Sequence, residues 1–151
     1  MNYEIVNLKE KIVVGLSART KNSDPNMGNI IGTLWHDFYQ NGVYSKIKNK
    51  SNEKAMGIYA DYESDWNGEY SAMVACEVDK TEDIPEEAVV KIIPEAKYAK
   101  FVVHGHMQQA VVSFWQELWQ MKLDRAYTCD FEEYQDANVD DATIHIYISI
   151  K

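Results

Sequence analysis

An α+β fold built from two β-α-β-β units is what this sequence predicts, with an antiparallel sheet, two helices packed on one side and a cleft between the halves. Three observations lead there. The segment Thr33-Leu34-Trp35-His36-Asp37-Phe38-Tyr39-Gln40 is matched by Ser113-Phe114-Trp115-Gln116-Glu117-Leu118-Trp119-Gln120 in the order hydroxyl, apolar, Trp, polar, acid, apolar, aromatic, Gln, at a constant offset of 80 residues (35 to 115). Each helical pattern is followed by strand-like segments and by an acidic-aromatic stretch, Asp61-Tyr62-Glu63 in the first case and Asp130-Phe131-Glu132-Glu133-Tyr134 in the second. Most of the other apolar runs are short and β-branched, or alternate with a period of two, as strands do. One supersecondary unit used twice accounts for all three.

The elements follow in order. Ile5–Val6 and Ile12-Val13-Val14-Gly15-Leu16 read as extended, the second as a buried strand. Asn22-Ser23-Asp24-Pro25-Asn26 is a turn, with Ser23 or Asp24 able to cap a helix and Pro25 suited to its first turn. Ile30, Ile31, Leu34, Trp35 and Phe38 form one apolar stripe, and Asn41-Gly42 ends that helix. A polar loop at 45–54 leads to a hairpin over 55–78, turned by Ser64-Asp65-Trp66-Asn67-Gly68. Lys80 to Glu87 is charged, contains a proline and links the repeats, which run over about 1–79 and 88–151 of a single 1–151 domain. Then come a short strand at 89–93, a turn at Pro94-Glu95-Ala96, a strand at 98–103, a helix at 108–121, a strand at 127–134 and a last strand at 143–150. In that last strand Ile144, Ile146, Ile148 and Ile150 share one face, and His145, Tyr147 and Ser149 the other.

Bulk properties exclude several function classes. Fifteen basic and 24 acidic residues leave a net charge of −9, a field that repels phosphate backbones, so no direct nucleic-acid partner is expected. Cys76 and Cys129 lie in apolar alternating runs without CxxC spacing, as buried free thiols of a reducing compartment do. The N-terminal residues lack the pattern of a signal peptide and no run is long enough to span a membrane, which predicts a cytoplasmic protein. GxSxG, GxGxxG, P-loop and HExxH patterns are absent; His104 and His106, with His36 and His145 elsewhere, do not make a metal set by spacing. No cofactor, no metal and no catalytic residue is assigned.

Aromatic content is high at 12%. Large rings fill cores and also line ligand pockets, and Trp35, Tyr39, Trp115 and Trp119 fit either place. Alternation in the 127–134 strand puts Asp130, Glu132 and Tyr134 on one face, with Cys129, Phe131 and Glu133 on the other. A Glu beside a Tyr on a strand suits a cation, the carboxylate supplying charge and the ring a face to stack on. An acid on a half-solvated strand is the competing reading.

Taken together, Ile93-Pro94-Glu95-Ala96-Lys97-Tyr98, Gly105, Trp115, Leu118-Trp119, Asp130-Phe131-Glu132-Glu133-Tyr134 and the terminal Ile146-Tyr147-Ile148-Ser149-Ile150-Lys151 resemble the gyrase-inhibitor-like, or effector-binding, domain of bacterial transcription regulators. The resemblance covers almost the whole chain and is nearest to stand-alone versions, including integron-cassette proteins that bind cationic drugs. It implies a ligand cleft between the halves, with Glu132 as the acid within it and Tyr134, Tyr147, Trp115, Trp119, Trp35 and Tyr39 as its aromatic surround. The implied partner is a small cationic, aromatic molecule. Ser149 stands where the family often has proline, and the helix-turn-helix domain of full-length regulators has no counterpart, so DNA binding is not carried over. Some members of the family are hydrolases of reactive electrophiles that use a Glu and a Tyr, which leaves Glu132 with Tyr134 or Tyr147 as an alternative. A protein-interaction module acting on a topoisomerase or regulator, or a homodimer, is the third expectation.

Overall fold

The computed structural model describes all 151 residues. Its elements are β1 (Glu4–Leu8), β2 (Lys11–Lys21), α1 (Met27–Gln40), α2 (Val43–Lys46), β3 (Lys50–Ala60), β4 (Glu69–Val78), β5 (Val89–Ile93), β6 (Ala96–Gly105), α3 (Met107–Leu118), β7 (Cys129–Tyr134) and β8 (Ala142–Ser149). All eight strands form one antiparallel sheet in the order β1-β6-β8-β7-β3-β4-β2-β5. Matching β1 with β5, β6 with β2, β8 with β4 and β7 with β3 makes that order read alike from both ends. The two halves therefore meet at the β3–β7 pair. Helices α1 and α3 occupy matching places, after β2 and after β6, so Trp35 and Trp115 hold equivalent positions in the two halves.

Each half takes its edge strand from the other stretch of sequence. β1 pairs with β6, and β5 pairs with β2. Two short connectors then curl the sheet. Lys9 and Glu10 alone join β1, at one edge, to β2, next to the opposite edge; Pro94 and Glu95 do the same between β5 and β6. Three peptide units reach at most about 11 Å, so the edges are drawn together. The face without helices closes on itself around Val13, Met56, Ile58, Tyr98, Phe131 and Tyr147.

The other face carries both long helices. Leu34 and Phe38 of α1 pack on Val14, Ala72 and Val74. Phe114 and Leu118 of α3 pack on Phe101, Ile144 and Ile146. Burying each such side chain is worth about 1.5–3 kcal/mol, so these contacts hold the helices to the sheet more firmly than helix propensity does. β7 lies between the halves and is buried on both faces along its whole length.

Several local readings are corrected. Residues 45–54 are not one loop: Gly42, at φ +79°, turns the chain into α2, which buries Val43 and sets Ile47, and β3 already begins at Lys50 with a register shift before Ala55. Asn26, not Ser23 or Asp24, is the residue before α1; Asp24 Oδ1 accepts instead from the Asn26 N–H at 2.8 Å, closing a turn. β7 starts at Cys129 because Tyr127 has a positive φ of 55°. The Asp61-Tyr62-Glu63 echo does not occupy the place of Asp130 to Glu132, since it follows the end of β3 whereas the latter are inside β7. No helix is long and apolar enough to cross a membrane.

Cys76 and Cys129 are both free and buried, on opposite faces of the sheet. Burial pushes their thiols up to about 11 and about 12, and a thiol in that condition supplies little thiolate at neutral pH. Neither should react with a disulfide-exchange reagent in the folded protein over minutes, and both should react at once in denaturant. Fast labelling of either in the native state would contradict this packing.

Candidate functional site

Helical and strand periodicity together build a cavity at the junction of the halves. Along α1, Gly28, Ile31, Gly32 and Trp35 present one side; along α3, Gln108, Val111, Val112 and Trp115 do the same, with Trp119 just past its end. Gly28 and Gly32 leave the space open, since a Cβ at either position would meet nothing within 4 Å. β3 contributes Tyr59, β4 Tyr70 and β7 Glu132 and Tyr134. The cavity volume is about 540 Å³, within the range of small-molecule sites. All four tryptophans of the chain, Trp35, Trp66, Trp115 and Trp119, line it.

Glu132 is on the inner wall, 1% exposed. Its Oε1 accepts from the Tyr134 hydroxyl at 2.8 Å, and its Oε2 from the Trp115 indole N–H at 2.8 Å and the Tyr59 hydroxyl at 3.0 Å. No Lys, Arg or His side chain pairs with it. Burial therefore raises its pKa above the ordinary carboxylate range, and the three hydrogen bonds pull it only part of the way back. Burial first, and then the neighbouring carboxylate, push Tyr59 and Tyr134 well above their usual value, so both remain donors. The rings brace one another: Trp35 meets Tyr134 edge-on at 5.1 Å, and Tyr59 meets Trp115 edge-on at 5.3 Å.

The second buried acid on this face of β7 is neutralised. Asp130 Oδ2 accepts from Arg125 Nη2 at 2.7 Å and from the Tyr62 hydroxyl at 2.6 Å; its Oδ1 accepts from the Ser149 N–H at 2.8 Å and from the Ser149 hydroxyl at 3.1 Å. Glu132 alone is a buried carboxylate on the cavity wall with no positive partner. No group of three or more His, Cys, Asp or Glu side chains converges on a common point.

Of the residues expected to surround the site, Glu132, Tyr134, Trp35, Trp115 and Trp119 lie on the cavity wall. Tyr147 does not. It is directly opposite Phe131 in the β7–β8 ladder and stacks on it at 4.8 Å, on the face away from Glu132, whose own partner is Ile146. Tyr39 also lies off the wall. It is 45% exposed and packs outside Trp35, at 6.3 Å, against Tyr44, which α2 brings up. Tyr59 and Tyr70 escape sequence reasoning because strand pairing places them, and Tyr62 and Arg125, outside the strands, because their shared contact with Asp130 does. Trp66 had a signal: a tryptophan in the polar turn Ser64–Gly68 has no core to enter from there. In the structure it stacks with Trp119, 6.4 Å between centroids, at the cavity.

Gly57 faces Glu132 across the β3–β7 pair, and a Cβ there would lie 2.7 Å from Oε1 and 3.6 Å from the Trp35 ring. Gly57→Ala should therefore turn the carboxylate away from Tyr134. We expect a stability loss of about 1–2 kcal/mol in urea unfolding, of the size that overpacking brings, together with altered Trp emission. An alanine variant with unchanged stability and emission would show that the carboxylate moves freely.

A curled, eight-stranded α+β sheet with two helices enclosing an acidic, tryptophan-lined cavity defines an effector-binding class of protein. Residues 4–150 match the family described as integron-associated effector binding protein, and the chain belongs to that family. The integron cassette protein VCH_CASS2 from the mobile metagenome of Vibrio cholerae is similar in structure, with a TM-score of 0.81 at 32% identity over 99% of this chain and 95% of its own. SAV2435, solved bound to tetraphenylphosphonium, has a TM-score of 0.81 at 25% identity over 100% of this chain and 94% of its own. YobU of Bacillus subtilis (strain 168), whose name assigns it provisionally to the transcriptional regulators, is 29% identical over 97% of this chain and 96% of its own length.

Proposed function

We propose that this chain binds a lipophilic aromatic cation in the cavity between its halves and that Glu132 supplies the counter-charge. The observation that carries this reading is the combination at Glu132: a carboxylate 1% exposed, held by three neutral donors, without a cationic partner, on an aromatic wall. A bound cation would complete the pairing that the protein leaves open, and the indole and phenol faces favour diffuse positive charge. Tetraphenylphosphonium on the related SAV2435 supports the same chemistry. The net charge of −9 adds a long-range attraction for cations.

One observation favours a second reading. Tyr134 and Glu132, 2.8 Å apart, have the proximity of an acid–base pair acting on a reactive electrophile. Both oxygens of Glu132 are already engaged by donors, which weakens it as a base and makes binding the better-supported function. The free, buried thiols fit a reducing, cytoplasmic setting. The signal of an occupied cavity would pass to a separate regulator or to a second copy of this chain; the name of YobU places that relative provisionally among the transcriptional regulators.

The test is a titration followed by tryptophan emission, since every tryptophan lines the cavity. Tetraphenylphosphonium should quench or shift the emission saturably, and triphenylmethane, which has neither charge nor oxygen, should do so far more weakly. Equal response to the two would remove charge from the account.

A further inference from the structure

Arg125 has more donors than its ion pair uses. It is a cavity-lining residue yet only 8% exposed. Nη2 donates to Asp130 at 2.7 Å, and the guanidinium carbon lies 4.3 Å from the Tyr127 ring centroid. Nε is sealed from solvent and bonded to nothing; Nη1 also donates to no protein atom but is not sealed. A guanidinium offers five N–H donors in a rigid fork. Asp130 takes one of them and is otherwise satisfied by Tyr62 and Ser149. A lysine could also answer the charge of Asp130, and stacking on Tyr127 uses the face of the guanidinium rather than its N–H groups, so neither contact occupies the rest of the fork. Nη1, the idle donor that is not sealed off, is the one a molecule in the cavity can reach, whereas Nε stays out of reach.

We propose that Arg125 is a second pole of the cavity that receives an uncharged oxygen acceptor of the ligand, so that the preferred ligand is an aromatic cation carrying a carbonyl-type oxygen. This rests on the cation reading of Glu132 and adds to it. An anionic acceptor is disfavoured because Asp130 already balances the guanidinium and the whole chain carries −9. The span follows from the strand: Asp130 and Glu132 are two residues apart on one face of β7, about 7 Å at the backbone. A single aromatic ring with a quaternary nitrogen and a carbonyl in para positions covers a distance of that order.

Two probes of matched shape separate acceptor from size: the 4-acetyl and 4-isopropyl derivatives of phenyltrimethylammonium. In a cavity read by apolar contact alone, the isopropyl ion binds better, because its substituent has less to lose by leaving water. We expect wild-type protein to bind the acetyl ion about tenfold more tightly by calorimetry. Arg125→Lys, which retains the charge beside Asp130, should abolish that preference, the acetyl ion losing about tenfold relative to the isopropyl ion. A wild type that binds the two equally, or prefers isopropyl, overturns the Arg125 pole and leaves the cation reading standing, as does a preference that survives Arg125→Lys. Failure of both ions to bind wild type, where neutral 4-isopropylacetophenone does bind, overturns both readings. The wild-type comparison decides the proposal whether or not the variant folds.

Discussion

Replacing Glu132 by Gln should weaken binding of tetraphenylphosphonium about ten- to a hundredfold while leaving the affinity for the neutral triphenylmethane almost unchanged. Opposite unit charges about 6 Å apart attract by about 3 kcal/mol at an effective dielectric constant of about 20. Residual desolvation offsets part of that, leaving a loss of about 1–3 kcal/mol. The substitution is conservative in shape. The amide oxygen can take the place of Oε2, accepting from Trp115 and Tyr59, and the amide nitrogen can face the Tyr134 hydroxyl, which is free to turn and accept. The empty variant should therefore fold and unfold at a somewhat higher temperature than wild type, because a desolvated charge has been removed. Weaker cation binding in a more stable protein separates loss of charge from loss of structure. Replacing the exposed Glu86 in the same way should do little beyond a small salt-dependent change.

The largest effect on stability is expected at Asp130. Asp130→Ala strands Arg125 in a site where it is 8% exposed and already has one sealed, unpartnered nitrogen. It also removes the acceptor of the Tyr62 hydroxyl and of the Ser149 N–H. Breaking a buried pair by removing one partner costs about 3–5 kcal/mol, a large share of the 5–15 kcal/mol by which domains are stable. Urea unfolding should show the midpoint falling sharply with little change in slope. A loss below about 1 kcal/mol would mean that water or a rotated Arg125 replaces the carboxylate, so that the pair is not structural.

How much of this was legible in the sequence follows the range of the forces involved. The repeated Trp35 and Trp115 patterns report helix faces, which depend on residues three and four apart, and they located both walls of the cavity. Period-two alternation placed Asp130, Glu132 and Tyr134 on one face of β7 because alternation is local to a strand. It assigned Tyr147 to a face of β8 but could not relate that face to Glu132, since the relation is set by the Phe131–Tyr147 register between strands. Tyr59 and Tyr70 reach the cavity only through the β3–β7 and β3–β4 ladders, and the length of chain between them and Glu132 hides that proximity. Tyr39 repeats the position of Trp119 in the pattern, yet α2, which the second half lacks, supplies Tyr44 and holds it outside. The curl of the sheet was present in the two-residue connectors Lys9-Glu10 and Pro94-Glu95, but it becomes readable only when the strand order is known.

The pH dependence of cation binding tests the role of Glu132 most directly. Its folded pKa is raised by burial, above the value in the unfolded chain. The empty protein therefore holds this proton more tightly than the unfolded chain does. That contribution to stability is complete below the unfolded pKa and is lost as pH rises through the folded one. A cation bound beside Glu132 favours the ionised form and works in the opposite direction. Tetraphenylphosphonium affinity, measured by calorimetry from pH 8 downward, should be flat at first and then fall below the raised Glu132 pKa by about ten- to a hundredfold in all, levelling near the affinity of Glu132→Gln, with protons released on binding in the range of the fall. Glu132→Gln should show neither the fall nor the proton release. Superimposable pH profiles for wild type and Glu132→Gln would contradict the assignment of Glu132 as the counter-charge.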